Sequence, residues 1–415
     1  MLRAIFLSFH EFARQVSEFP HSGGIFLLLM TKYQLLDALL HLLFFMMGAG
    51  IGSFLNVVIY RVPLGLSVNE PRRSFCPTCK KQIPWHQNIP LVSWLLLRGK
   101  CANCKSSISA RYIFVELLVG VLFYVVFRTF GGPWEEISLW GPQVLCLWVF
   151  VALLVAGTFI DIEHYLLPDQ ITVTGTIAGV LAATWVPALV KTSGHLWGGL
   201  MALAGAALGF FLLWGIVELG KLAFGRKKFT FAAPVKWEVA QPDDSAPPVV
   251  RIDGEEHAWE DLFYRPTDRI IMQCKSLQIN ERALTDVKAE LYMEKLRITL
   301  ADGKSEMMEW EGIKVIHGLT SEVVIPREAM GFGDVMFLMM IGAFIGWQGV
   351  LFTVLSASVL GTLLAIVQRV TGRAEWSARI PFGPYLAAGA MIWVFWGVQI
   401  VNWYIALTRA GFRHE

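Results

Sequence analysis

The sequence predicts a polytopic α-helical membrane protein of about eight transmembrane helices, carrying a cysteine-rich loop and a small β-rich insert. Three observations predict it. The 415 residues are 55% hydrophobic and only 16% charged, with a mean hydropathy of +0.53, whereas a soluble chain carries about a quarter charged residues. Several apolar runs reach the length of about 18 residues at which a helix can cross a bilayer. The charge gathers in polar segments: residues 226–328 hold 34 of the chain's 68 charged side chains.

Residues 1–34 read as an N-terminal tail. Their apolar patch "GIFLLLM" is too short to span, and no secretory signal is evident. The first span is expected at 35–60. A polar loop, 61–111, follows, with nine Lys or Arg against one acid, Glu70. The positive-inside rule places this loop in the cytoplasm. Residues 112–225 are expected to hold spans two to five, near 112–130, 142–160, 171–189 and 197–222. The loop "GGPWEE" between the second and third has no base and falls outside. Residues 226–328 form the insert. It opens near a Pro- and Asp-rich linker, "QPDDSAPP", and continues in alternating runs in which Asp302-Gly303 reads as a hairpin turn. "GRKK" at its start and "QRVTGRAEWSAR" at 368–379 are cytoplasmic by the same rule, which leaves both termini outside, mildly against Arg409 and Arg413. Residues 329–407 are expected to hold spans six to eight, near 334–348, 350–369 and 383–407, with 408–415 as a tail. The Trp residues read mostly as interfacial anchors.

The cysteines carry the first chemical signal. Cys76, Cys79, Cys101 and Cys104 form C-x2-C, 21 residues, C-x2-C. Two such knuckles complete a tetrahedral thiolate shell, which suits Zn²⁺. The spacing also admits a redox or disulfide pair, though a cytoplasmic loop disfavours disulfides. A four-thiolate shell is closed, so the ion is expected to be structural and the loop a zinc-binding one. Cys146 and Cys274 read as buried small hydrophobes.

The aspartates carry the second. "FIDIEHYLLPD" puts Asp161 at the inner end of the third span, and "MGFGDVMF" puts Asp334 at the inner start of the sixth. Both carboxylates meet one membrane face. Gly331 and Gly333 allow a close approach and unusual backbone angles before Asp334. Two adjacent carboxylates share a proton, one acting as base to a water and the other as acid to a scissile carbonyl. The competing reading is helix capping. It suits Asp334 but not Asp161, because a helix C-terminus disfavours an anion. Asp169, after Pro168, reads as a cap. Glu116, inside the second span, either pairs with Arg111 or faces a substrate or methyl-transfer site. Asn56 is expected to hydrogen-bond another helix, Arg61 to anchor at the headgroups, and Glu163 and His164 to be solvated.

In order and spacing these motifs resemble the bacterial type IV prepilin peptidases, which also act as N-methyltransferases. The resemblance rests on "GSFLNVVIYRVP" (52–63), the four cysteines, "SWLLLRGKC" (93–101), "IDIEHYLLPD" (160–169), "GFGD" (331–334) and "IPFGPYLAAG" (380–389). It covers nearly all of the chain outside the first 35 or so residues and the insert. It implies a Gly-x-Gly-Asp intramembrane aspartic protease with Asp161 and Asp334 as catalytic residues. Such enzymes cut the basic leader of type IV prepilins or secretion pseudopilins after a Gly, on the cytoplasmic side of the bacterial inner membrane. They then methylate the new N-terminal residue, usually Phe, from S-adenosylmethionine. The resemblance assigns Gly99 and Lys100 to that second activity, supported by the zinc loop. The implied partners are the prepilin substrates, membrane lipid and, through the insert, a component of the pilus or secretion machinery; nucleic acid is not among them. Two features depart from the family pattern: Met336 stands where a Lys is usual two residues after the second aspartate, and the insert is additional. The competing classes are a non-catalytic scaffold that docks partners through the zinc loop and insert, and a transporter with an aspartate proton relay. The latter would want its carboxylates near mid-membrane.

Overall fold

The computed structural model describes residues 23–71, 74–224, 226–240, 248–263, 268–300, 302–313, 315–326, 331–371 and 381–411. Most of the expected N-terminal tail, Arg72 and Arg73, Gly225, the linker at 241–247, and most of the 368–379 loop lie outside these residues. The chain divides into two compact units, one of residues 1–211 and 333–415, the other of residues 212–332.

The first unit is helical. Helix α1 is Gly23–Arg61, α2 is the short Val92–Leu96, α3 is Ala110–Phe130, α4 is Ile137–His164, α5 is Asp169–Trp185 and α6 is His195–Phe224, whose residues from 212 on are counted with the second unit. After the insert, α8 is Phe332–Val370 and α9 is Gly383–Gly411. The first helix begins earlier than the expected span, because no proline or cap interrupts the residues after Gly23. Among the described residues six helices are long and apolar enough to cross a membrane. The eight expected segments meet that count in two ways. Helix α5 has 17 residues, or about 26 Å of rise against a hydrocarbon core of about 30 Å. The sixth and seventh segments run together in α8, which is broken at Gly346 (φ 70°, ψ 177°). That conformation is open essentially to glycine alone, and it parts α8 into two shorter helices.

Small residues set the helix packing. A Cβ on Gly52 of α1 would lie 2.8 Å from Glu116 Cα of α3, so the two backbones touch there. Phe150 of α4 stacks on Phe344 of α8 with centroids 4.7 Å apart. The interior of α1, α3 and α4 is a continuous apolar cluster that includes Ile59, Val119 and Ile160. Trp148, half-buried, stacks on Phe123 and donates to the Phe123 carbonyl at 3.0 Å, so it packs between helices.

The second unit is built on one antiparallel sheet. Its strands are β1 Arg226–Ala240, β2 Val249–Ile252, β3 Glu255–Ala258, β4 Arg269–Ile279, β5 Arg282–Tyr292, β6 Lys295–Thr299, β7 Ser305–Glu309 and β8 Ile316–Pro326, with the short helix α7, Trp259–Leu262, after β3. The order across the sheet is β3-β2-β1-β8-β4-β5-β6-β7. The first and last long strands pair, with Arg226 opposite Pro326, so the insert returns the chain to where it left. Trp237, Ile270, Met272 and Leu291 fill its core, and burial pushes the Cys274 thiol up to about 12. The expected Asp302-Gly303 turn closes β6 onto β7: Gly303 takes a φ of 83°, and Asp302 Oδ1 accepts from the Lys304 N–H at 3.0 Å.

Candidate active site

Helix α4 carries Asp161 one turn from its end. The helix stops because Tyr165 turns left-handed, with its N–H on the Asp161 carbonyl at 2.9 Å. Pro168 then caps α5, so Asp169 is the first helical residue and its side chain makes no cap bond. The capping reading of Asp169 is corrected accordingly: its charge favours the helix start, but it satisfies no backbone donor there. Helix α8 carries Asp334 in its first turn. Gly333 brings that turn onto the α4–α5 connection, where a Cβ would lie 2.9 Å from Leu167 Cβ. Its φ is not positive, so close approach alone explains the glycine.

These elements place both carboxylates in one buried site. Asp161 is 5% exposed and Asp334 8%, and the charge of Asp161 acts on Asp334. Their surroundings differ. Asp161 Oδ2 accepts the Gly383 N–H at 2.9 Å, at the start of α9, where orphan N–H groups and the helix dipole favour an anion. A Cβ on Gly383 would lie 2.6 Å from that oxygen. Asp334 Oδ1 is buried with no hydrogen-bond partner among the described residues. A capping aspartate would have used that oxygen on a backbone N–H. Gly383 was not singled out from the sequence, although its place in "IPFGPY" at the head of an apolar run was the available signal.

The polar loop forms a second site. The Sγ atoms of Cys76, Cys79, Cys101 and Cys104 all lie within 4.8 Å of one another. Those of Cys76 and Cys104 are 3.8 Å apart, about the S···S separation of a tetrahedral ion with 2.3 Å bonds. The two knuckles repeat one backbone design. Cys76 donates to the Lys81 carbonyl and Cys101 to that of Ser106, while Lys80 and Lys105 take positive φ and donate back to Cys76 and Cys101. The Cys79 N–H, with help from the Ser106 hydroxyl, holds the Cys76 thiol down to about 6, the thiolate character a metal ligand needs. The four donors therefore fit a tetrahedral ion such as Zn²⁺.

Beside the knuckles is a cavity of about 620 Å³. Cys76 and Cys101 line it together with Ser53, Asn56 and Glu116 of α1 and α3. Four sequence expectations meet their outcome here. Asn56 does bond another helix, donating to the Tyr112 carbonyl at 3.0 Å, while its Oδ1 is buried and unpartnered. Arg61 is not a headgroup anchor: it is 4% exposed and donates to the carbonyls of Ser67, Val68 and Pro71, clasping the loop that follows it. Glu116 does not pair with Arg111. It accepts the Leu91 N–H at 2.7 Å, while Arg111 pairs with Glu163, which is therefore not a free solvated residue. Gly99 and Lys100 lie at the edge of this region. Gly99 takes a φ of 64° and packs under Trp94, where a Cβ would lie 2.8 Å from Cζ2. Trp94 lines the cavity; the exposed Lys100 side chain does not.

Comparison with known proteins gives this arrangement a context. The family model described as bacterial peptidase A24 N-terminal domain matches residues 46–130, and that of the type IV leader peptidase family matches residues 148–233 and 303–366. The second match stops and resumes around most of the insert. The prepilin leader peptidase/N-methyltransferase of Aeromonas hydrophila is 30% identical over 386 residues, covering 88% of this chain and 93% of the relative. The protein of the same name from Stutzerimonas stutzeri is 28% identical over 385 residues, with the same shares covered. That from Myxococcus xanthus is 48% identical over 139 residues, 34% of this chain and 39% of the relative. No solved structure matches. With paired aspartates, a four-cysteine loop and relatives aligned over most of both chains, the protein belongs to the type IV leader peptidase family, among the prepilin leader peptidase/N-methyltransferases.

Proposed function

We propose that Asp161 and Asp334 are the catalytic pair of a prepilin leader peptidase, and that the cavity beside the cysteine knuckles serves its N-methyltransferase step. The single observation that carries the first assignment is the burial of both carboxylates in one site with opposite hydrogen bonding. The Gly383 N–H favours an ionised Asp161, suited to take a proton from the attacking water. Asp334 has no such donor and suits the proton-bearing partner, which assists the scissile carbonyl. The pair acts on a type IV prepilin or secretion pseudopilin, whose apolar helix and basic leader put the scissile bond near the headgroups.

The rest of the reading follows the chain's charge pattern. The protein lies in the bacterial inner membrane with its active site on the cytoplasmic side. Counting α5 and both halves of α8, it crosses eight times. Four thiolates hold a structural Zn²⁺ that closes a loop poor in apolar residues. S-adenosylmethionine supplies an electrophilic methyl group to the new N-terminus. Gly99 serves that step through Trp94, and Lys100 from the exposed rim. The insert is a self-contained module, and a partner from the pilus or secretion machinery is the natural occupant of its surface.

The test uses the full chain in detergent with a prepilin peptide, products read by mass. Leader loss in the wild type, abolished by Asp161→Asn and by Asp334→Asn, is expected. A gain of about 14 Da on the trimmed product with S-adenosylmethionine present reports methyl transfer. Cleavage that survives either substitution in folded protein would remove the assignment.

A further inference from the structure

Among the described residues that line the loop cavity, Glu116 is the one carboxylate; the other charged groups are Arg61 and Lys81. Arg61 is committed to three loop carbonyls, and Lys81 donates to Asn103 at 3.0 Å. Glu116 is 9% exposed and is bonded by the Leu91 N–H and the Ser53 hydroxyl, and among the described residues no Lys or Arg pairs with it. A buried anion without a cation is costly. Beside it, Asn56 presents a buried carbonyl oxygen without a donor. A carboxylate without a cation and an unpartnered amide oxygen, from α3 and α1, line one cavity and ask for one cationic donor.

The position relative to the aspartates says which cation. Helices α3 and α4 run antiparallel, and the Arg111–Glu163 ion pair and the Phe114–Phe159 ring contact fix their register. That register sets Asp161 level with residues 112–113, so Glu116 lies about one helical turn, roughly 5 Å, further along α3. A product cut at the aspartates gains an α-ammonium group at nearly this level. We infer that Glu116, with Asn56, receives the new α-ammonium of the cleaved product in the loop cavity and accepts its proton for methylation.

The inference rests on the methyltransferase reading above and names the residue that meets its substrate. An α-amine with a pKa near 8 is mostly protonated at neutral pH and has no free electron pair. The ammonium gives one proton to the Glu116 carboxylate. The freed nitrogen pair forms the N–C bond to the methyl carbon as the C–S bond breaks, its pair staying on sulfur as a neutral thioether. The proton on Glu116 then leaves to water, and the product is a methylated ammonium.

The test separates charge from support. Glu116→Gln keeps an oxygen for the Leu91 N–H and removes the charge; Glu116→Asp retains the charge. The probes are an apolar peptide that begins with a free Phe amine, the same peptide N-acetylated, and S-adenosylhomocysteine. The wild type is expected to bind the free-amine peptide about 30-fold tighter than the acetylated one. Glu116→Gln should erase that preference and lower methyl transfer about 100-fold, while S-adenosylhomocysteine still binds. Glu116→Asp should restore part of both. A Gln variant that keeps the amine preference, or methylates at the wild-type rate, overturns the inference. If the wild type transfers no methyl group, the methyltransferase reading fails, and the peptide preference alone then decides Glu116: equal binding of free and acetylated peptide refutes it.

Discussion

The aspartate site and the knuckle loop belong to one helical unit but are held by different forces. The first draws on residues far apart in the chain: Asp161 and Gly383, 222 positions apart, share a hydrogen bond. Apolar packing of α4 against α8, such as Phe150 on Phe344, fixes its shape. The second is assembled from a single short stretch whose regular structure is little more than the bridges Phe75–Gln82 and Lys100–Ser107 and a five-residue helix. Four sulfurs and a set of backbone hydrogen bonds do there what a hydrophobic core does elsewhere. One site should therefore respond to changes of shape and of carboxylate chemistry, the other to removal of its ligand atoms.

The largest effect should come from the carboxylates. Asp161→Asn or Asp334→Asn is expected to lower cleavage by about 10³-fold or more. Methyl transfer onto a peptide that already bears the mature N-terminus should continue, since neither aspartate lines the loop cavity. Parallel mass assays on leader-bearing and mature peptides check this. Loss of both reactions would mean that the two sites are not separable.

Next in size is the metal. Chelation, or Cys76→Ser, should release an ion that elemental analysis finds in a ratio of one per chain, and should abolish methyl transfer. Both Cys76 and Cys101 line the cavity, so loosening the knuckles opens the site. Cleavage should persist at near the wild-type rate, because Asp161 and Asp334 are positioned by α4, α8 and α9. Equal loss of both activities on chelation would place the ion in service of the aspartates.

Shape can be tested at the first site without touching a carboxylate. Gly383→Ala adds a methyl group at 2.6 Å from Asp161 Oδ2, so either the carboxylate or the start of α9 must move. A displacement of this kind costs about 100-fold in rate. The expected signature is slower cleavage with unchanged metal content and methyl transfer.

The contrast between the sites also explains what the sequence disclosed. Apolar runs announced the long helices, because a span needs length and little else. The cysteine knuckles and the Asp302-Gly303 turn were legible because each is a local pattern with one dominant chemistry. Asp161 and Asp334 were legible as charges at the ends of apolar runs. A break was expected at 349, between the sixth and seventh spans, but its place at Gly346 was not legible, since "IGAFIGWQGV" offers several glycines and only tertiary packing selects one. Nor were the partners of Arg61 and Glu116. Both bond to backbone groups, and a backbone N–H or carbonyl leaves no residue-type signal. The Glu116 bond further depends on Leu91 adopting a φ of 63°, which nothing in its side chain suggests.

The smallest effect, and the one that sharpens the comparison most, is at Gly99. Its neighbour Lys100 is exposed, while Gly99 has a φ of 64° and a Cβ there would lie 2.8 Å from the Trp94 ring. The substitution Gly99→Ala therefore strains the backbone by about 1 kcal/mol and pushes Trp94 toward the cavity it lines. Methyl transfer should fall by about tenfold, with weaker S-adenosylhomocysteine binding and unaltered cleavage. Trp94 fluorescence should shift in the same variant. If Gly99→Ala slows methyl transfer while Trp94 fluorescence and S-adenosylhomocysteine binding stay as in the wild type, Gly99 acts by its own backbone rather than through the ring. A matched Trp94→Phe change, which gives the new methyl group room, should then fail to rescue Gly99→Ala; rescue would return the effect to the ring.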